Sequence, residues 1–245
     1  MFSLKDKKII VTGAASGIGK AITLQCIKYG AIVFAVDINE LELKNLKKEV
    51  SSQNLKIIKA DVSKASQIKK VFTFLNKNRY EANCLINNAG IYNGKSILDY
   101  SESEINKVID INIKSAIYFS KLFAEHIILK NKKGIIVNMT SVSGQDGSSD
   151  AIYGLSKSAL IGLTKSNAIN FSPYIRVNAI APGIVNTQMQ KNIPKERLKN
   201  YRKSELIKEP IEPADIANTA IFLLSELSKN YTGSVFDVNN GCYLR

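Results

Sequence analysis

Histidine occurs once in this sequence, at His126, and that scarcity excludes more chemistry than any one motif supplies. A Ser-His-Asp triad or a histidine-based metal centre needs partners that a lone histidine in an Ile- and Phe-rich helical stretch does not have. Packing or a subunit contact is the better assignment for His126, and no metal is expected. Cysteine is nearly as sparse: Cys26, Cys84 and Cys242 are odd in number, far apart and without CxxC spacing. That pattern builds neither a disulfide framework nor a thiolate zinc site, and it fits a reduced, cytoplasmic protein with free thiols. No apolar run approaches the length of a membrane span. The charged start, Lys5-Asp6-Lys7-Lys8, leads straight into a strand and does not read as a signal peptide. Acidic residues are in deficit as well. Lys and Arg number 34 against 21 Asp and Glu, a formal net charge of +13. Such a surplus raises nucleic acid or a membrane surface as a partner. The lysines, however, scatter through nearly every expected helix, and no helix-turn-helix, zinc finger or aromatic platform accompanies them. We therefore expect no nucleic acid and no membrane partner, and read the charge as a solvated, lysine-rich surface.

What the chain does have is a rhythm. Lys8 to Val11, Ala31 to Val36, Leu55 to Ile58, Cys84 to Ile86, Gly134 to Asn138, Ile175 to Ile180 and Val235 to Val238 are short apolar runs with helical stretches between them. Strands apolar on both faces and separated by helices imply a parallel sheet covered on each side. The expected fold is α/β: a single doubly wound Rossmann domain over residues 1–245 with a parallel seven-stranded sheet. Asn39 is placed to cap one helix, Pro173 to end another, and Pro213 to open a third. From Ile184 to Pro210 the rhythm breaks into a charged stretch, and we expect a substrate lid over about 188–208.

Two sets of residues carry chemistry. Thr12-Gly13-Ala14-Ala15-Ser16-Gly17-Ile18-Gly19 follows the first strand and opens the first helix. Glycine there allows a tight turn and lets backbone N–H groups approach a pyrophosphate at the positive end of the helix. Asp37 ends the second strand, where a carboxylate accepts hydrogen bonds from the adenosine ribose hydroxyls; a helix-capping aspartate is the plainer alternative. Tyr153 and Lys157 lie four apart on one helix and so share a face. A free tyrosine, with a pKa near ~10, is a poor proton carrier at neutral pH. A neighbouring ammonium and an oxidised nicotinamide both favour the phenolate, so together they are expected to lower that value and make Tyr153 a general acid for reduction and a base for oxidation. Ser141 is placed to hydrogen-bond a substrate oxygen as charge develops on it.

The spacing Thr12-Gly13-x-x-x-Gly17-x-Gly19 resembles the cofactor motif of the short-chain dehydrogenase/reductase family. Asn87-Asn88-Ala89-Gly90, Asp61-Val62, Asn112, Ser141, Tyr153-x-x-x-Lys157 and Pro182-Gly183 through Thr187 match that family's pattern in order, from about Lys5 to Leu244. The resemblance implies a Ser-Tyr-Lys-Asn catalytic set of Asn112, Ser141, Tyr153 and Lys157, with Lys157 also binding the nicotinamide ribose and Asn112 anchoring a water. It implies cofactor contacts from Gly13, Ser16, Gly17, Ile18, Gly19, Asp37, Asp61, Val62, Asn88, Ala89, Gly90, Pro182, Gly183, Val185 and Thr187, besides Tyr153 and Lys157. The expected activity is hydride transfer between NAD(H) and a carbonyl or secondary alcohol, NADP being disfavoured by Asp37. The alternative is a dinucleotide-binding regulator of the same fold with little turnover. Two features depart from the family. The Ser141-to-Tyr153 segment is a residue short, so Thr140 competes for the serine role. The tail, Asp237 to Leu244, has Asn where Gly is frequent and looks somewhat like that of 3-oxoacyl-acyl-carrier-protein reductases. The basic lid suggests an anionic or carrier-bound substrate. Apolar faces on the helices from Ser103 to Leu129 and Ile152 to Phe171 suggest a homotetramer.

Overall fold

Alternation within each strand decides where the core lies. The computed structural model describes residues 3–244. In β1 (Lys8–Thr12), Ile9 and Val11 point to one face of the sheet and Ile10 to the other; in β2 (Ile32–Asp37), Val33 and Ala35 oppose Phe34 and Val36 in the same way. All are fully buried, so each strand needs helices on both sides. One face is covered by α1 (Gly17–Lys28), α2 (Glu40–Val50) and α8 (Pro213–Leu224), through Ile22, Leu43, Leu46 and Ile216. The other is covered by α3 (Ala65–Lys77) and α5 (Ser115–Leu129), through Ile68, Val71, Phe119 and Phe123, and by α6 (Ala151–Asn170).

The remaining strands are β3 (Leu55–Lys59), β4 (Cys84–Asn87), β5 (Gly134–Met139), β6 (Ile175–Pro182) and β7 (Val235–Val238). They form one seven-stranded sheet in the order β3-β2-β1-β4-β5-β6-β7, every pair parallel. This is the expected doubly wound, Rossmann-like architecture. The chain winds outward from β1 to β3 and then crosses back to β4. The crevice at the carboxyl ends of β1 and β4 is thus the place where such sheets take ligands.

Local sequence explains the ends of these elements. Asn39 caps α2, its side chain accepting from the Glu42 N–H at 3.2 Å, and Pro213 occupies the first turn of α8. Between α4 (Glu102–Ile109) and α5 the helix takes a π-turn over Asp110–Lys114, which periodicity in the sequence does not announce. The charged stretch after β6 holds a 3-10 turn, Gln188–Asn192, and α7 (Lys195–Ser204), in which no residue is buried. No helix among the described residues is long and apolar enough to cross a membrane.

Candidate active site

A cavity of about 390 Å³ opens at the carboxyl ends of the strands. Its floor is the turn after β1. Gly13 and Gly17 have φ of +63° and +50°, which side-chain-bearing residues rarely adopt. A Cβ on Gly19 would stand 2.0 Å from the Gly13 carbonyl oxygen, so that position admits only glycine. The first turn of α1 has no acidic residue and Ser16 makes no side-chain cap, which leaves its N–H groups to an incoming anion. The turn is pinned from β4: the Thr12 hydroxyl accepts from the Asn88 and Ala89 N–H groups at 3.0 Å each, and the Asn88 amide donates to the Thr12 and Gly13 carbonyls. Asn87 faces the interior instead, donating to Asn138 and Ser120 in a buried network.

Asp37 closes one end of the cavity. Its carboxylate accepts from the Ala15 N–H and the Asn39 N–H, both at 3.0 Å, so it braces the turn as well as facing the cavity. Asp61 and Val62 lie beside it after β3; the Asp61 carboxylate accepts from the Ser63 N–H and hydroxyl.

At the other end stand Ser141, Tyr153 and Lys157. Gly144, in the 3-10 turn Val142–Gly144, packs so closely on α6 that a Cβ there would lie 2.6 Å from the Lys157 carbonyl carbon. That contact sets Ser141 against Tyr153, whose phenol it hydrogen-bonds. Thr140, the rival for the serine role, lines the same cavity but spends its hydroxyl on the Ile180 carbonyl at 2.9 Å. The Lys157 ammonium is buried, donates to the Met139 carbonyl at 2.9 Å and lies 5.6 Å from the Tyr153 ring centroid.

Burial sets the electrostatics of the pair in the protein alone. Burial pushes the Tyr153 phenol up to about 12, with the Ser141 hydrogen bond opposing the rise. Burial likewise pushes the Lys157 ammonium down to about 8. Desolvation is the largest cause at both groups, and Lys157 is not among the causes of the Tyr153 shift. Tyr153 is therefore a protonated phenol at neutral pH.

Of the expected site residues, Gly13, Ser16, Gly17, Ile18, Asn88, Ala89 and Gly90 line the cavity, as do Pro182, Gly183, Val185 and Thr187. Gly19 and Asn112 do not; they stand behind the wall. The Asn112 side chain accepts from the Ile91 N–H at 2.8 Å and donates to the Ile91 carbonyl and the Ser156 hydroxyl at 3.0 Å each. It fixes the loop after β4 against α6.

Asp150 is the residue that sequence reasoning missed. It is fully buried and caps α6 by accepting from the Tyr153 N–H at 3.0 Å. It also accepts from the Gly94 N–H and the Tyr100 hydroxyl, each at 2.9 Å, tying the loop after β4 to the start of α6. That loop places Tyr92 edge-on to Tyr153, ring centroids 5.0 Å apart. The only signal in the sequence is an Asp three residues before Tyr153, which is ordinary N-cap usage. Among the described residues no cluster of His, Cys, Asp or Glu is placed to hold a metal ion.

Residues 13–243 match the family model described as Enoyl-(Acyl carrier protein) reductase. The 3-oxoacyl-(acyl-carrier-protein) reductase of Thermotoga maritima is 34% identical, over 97% of this chain and 98% of its own length. The chain belongs to the short-chain dehydrogenase/reductase family. L-xylulose reductase of Caenorhabditis elegans is 32% identical, over 98% of this chain and 97% of its own length. The crystal structure of a 3-ketoacyl-(acyl-carrier-protein) reductase from Brucella melitensis, complexed with NADH, superposes with a TM-score of 0.92 at 26% identity, covering 99% of this chain and all of that one. Membership makes this short-chain dehydrogenase/reductase an NAD(P)-dependent oxidoreductase.

Proposed function

We propose that this chain moves a hydride between NAD(H) and the carbonyl or secondary-alcohol carbon of a small substrate, with Tyr153 as the proton-transferring group. The observation that carries the reading is convergence: the glycine turn, Asp37, Ser141, Tyr153 and Lys157 face one cavity. The residues fit a dinucleotide. The turn offers unpaired N–H groups to a pyrophosphate, Asp37 accepts from the adenosine ribose hydroxyls, and Lys157 reaches the nicotinamide ribose. Asp61 to Val62, Asn88 to Gly90 and Pro182 to Thr187 complete the walls against it. When bound, the nicotinamide ring supplies or accepts the hydride.

The chain supplies the proton. In reduction, the protonated Tyr153 phenol donates to the oxygen on which negative charge develops, and the Ser141 hydroxyl hydrogen-bonds the same oxygen. In oxidation Tyr153 takes the proton back; Ser141 and the charge on Lys157 then stabilise the phenolate. Lys157 stays cationic at neutral pH, since burial brings it down only to about 8. Asn112 holds Ile91 and Ser156 in place behind these groups.

Four further assignments belong to the same reading. Asp37 sets a preference for NAD(H) over NADP(H). Residues 1–245 are one dinucleotide-binding domain, with 188–208 as a lid: the Asn192 amide donates to the Tyr92 carbonyl at 3.1 Å, and the far end hangs on the tail through Leu206 N–H to the Asn240 carbonyl at 2.7 Å. The exposed Ile117 and Leu129 of α5, with Leu155 and Ile169 of α6, support a homotetramer. Its free cysteines, two of them buried, support a cytoplasmic location. The reductases of carrier-bound acyl groups among its relatives leave a small or carrier-bound substrate open. Oxidation of a broad alcohol panel with NAD, read by NADH absorbance, should reveal at least one secondary alcohol as substrate. Intact dinucleotide binding with no turnover of any alcohol or ketone, with either dinucleotide, would instead favour a regulator.

A further inference from the structure

In the segment over the cavity, one nitrogen of a guanidinium lacks an acceptor. Arg197 of α7 is only partly exposed, and its Nη1 is sealed from solvent without a well-formed hydrogen bond. No carboxylate pairs with it among the described residues, although other surface cations, such as Lys7 and Lys20, find acidic partners. A sealed, charged N–H group without an acceptor is costly. The structure therefore calls for an acceptor that arrives from outside.

Where that acceptor would sit follows from the neighbours. Tyr201 lines the cavity, and Arg197 precedes it by four residues on the same helix, so the two share a face. Burial raises the phenols of Tyr92 and Tyr201; the charge of Arg197 opposes the rise at both, and its guanidinium also hydrogen-bonds the Tyr92 hydroxyl, which leaves Nη1 as the unmet donor. Tyr92 in turn stands edge-on to Tyr153. The guanidinium thus lies one aromatic ring away from the proton-transferring group. The acids on the cavity wall, Asp37 at the end of β2 and Asp61 after β3, are remote from this end; Asp150 acts on Tyr92 and Asp146 on Tyr201, but Asp150 already accepts from Gly94, Tyr100 and Tyr153. Gln188 and Gln190 supply neutral polar groups on the lid side.

We propose that Arg197 binds an oxyanion of the substrate, at the end away from the reacting carbon, so that the substrate class is hydroxy and oxo acids or their phosphate counterparts. This rests on the oxidoreductase reading above and narrows it. A planar guanidinium matches the two oxygens of a carboxylate, and a phosphate offers the same geometry.

The test compares hydroxy acids of increasing length with their methyl esters and with phosphate monoesters of matching diols. No residue of α7 is buried, so Arg197→Gln and Arg197→Lys leave the fold intact. In Arg197→Gln, the ratio of kcat/KM for acid over ester should fall by about 10- to 100-fold, mostly through KM, the range of a charge-assisted hydrogen bond. Arg197→Lys should restore part of it. A larger fall for the phosphate monoesters than for the acids identifies phosphate as the source. Equal effects on anionic and neutral substrates would overturn the proposal while the oxidoreductase reading stands. Should no alcohol or ketone be turned over, that reading fails and the anion site is read by thermal shift. Malonate or inorganic phosphate should then raise the Tm of the wild-type chain but not of Arg197→Gln, and equal shifts would overturn the site.

Discussion

Replacing Asp37 by Asn removes one charge from the cavity wall and leaves its shape. The carboxylate accepts from the Ala15 and Asn39 N–H groups, which hold it at the end of β2 facing the cavity. A 2′-phosphate on the adenosine ribose would meet it as a like charge. At about 4 Å that repulsion is about 1 kcal/mol in water and about 4 kcal/mol near a protein surface. In relative kcat/KM this is from about fivefold to about a thousandfold in favour of NADH, at about 1.4 kcal/mol per decade. No cation offsets it at the adjoining positions: Ser16 is neutral and Ile38 is an apolar side chain 61% exposed. Asparagine keeps an acceptor for one of the two amides and turns an NH2 group toward the other. A stability loss of about 1–3 kcal/mol accompanies the change, so the NADH-to-NADPH ratio is the readout, not absolute activity. Steady-state kinetics with both cofactors should show a NADH preference in the wild type, a smaller one in Asp37→Asn and an inverted one in Asp37→Asn/Ile38→Arg. All three differences should shrink as salt screens them over about 8 Å. Equal or better use of NADPH by the wild type, or no change in ratio in Asp37→Asn, would refute the reasoning.

Asp150→Ala strands the Gly94 and Tyr153 N–H groups and the Tyr100 hydroxyl; a loss of about 3–5 kcal/mol follows from the lost cap and the unmet donors. At about 2–4 °C per kcal/mol, calorimetry should show Tm lower by about 6 to 20 °C, and a shift below about 3 °C would contradict the structural role. Gly19→Ala forces a Cβ to within 2.0 Å of the Gly13 carbonyl oxygen, so NADH titration by fluorescence should show lost binding; unchanged affinity would show that the turn is not the pyrophosphate cradle. Light scattering at micromolar concentration should give a homotetramer, and a monomer would contradict an interface built on Leu129, Leu155 and Ile169.

The sheet was legible because both-face burial writes itself as unbroken apolar runs: Ile9-Ile10-Val11 and Val33-Phe34-Ala35-Val36 admit little else. Caps with a direct chemical cause, Asn39 and Pro213, were legible for the same reason. Strand ends were blurred by a residue or two: at Lys59, Asn87 and Pro182 polar or imino residues still pair, and β5 runs on to Met139. The π-turn at Asp110–Lys114 left no pattern, and neither did the partners of Asn112, since which groups an amide finds depends on tertiary approach. The rise of the Tyr153 phenol in the protein alone was not legible for a related reason. Spacing shows that Lys157 shares its face, but the depth of burial that makes desolvation dominate is a property of the folded wall. Asp150 has the look of any helix cap in sequence; Gly94 and Tyr100, which converge on it, lie 56 and 50 residues upstream.

The central claim, that the Tyr153 phenol moves the proton, is tested most directly by Tyr153→Phe. The change deletes the hydroxyl and keeps the ring that packs edge-on against Tyr92. With the best alcohol from the panel, kcat should fall by at least about 100-fold, the contribution expected of a placed general acid–base group, while NADH affinity stays within a few-fold of wild type. Retention of more than about a tenth of wild-type kcat, with NADH binding intact, would contradict the account.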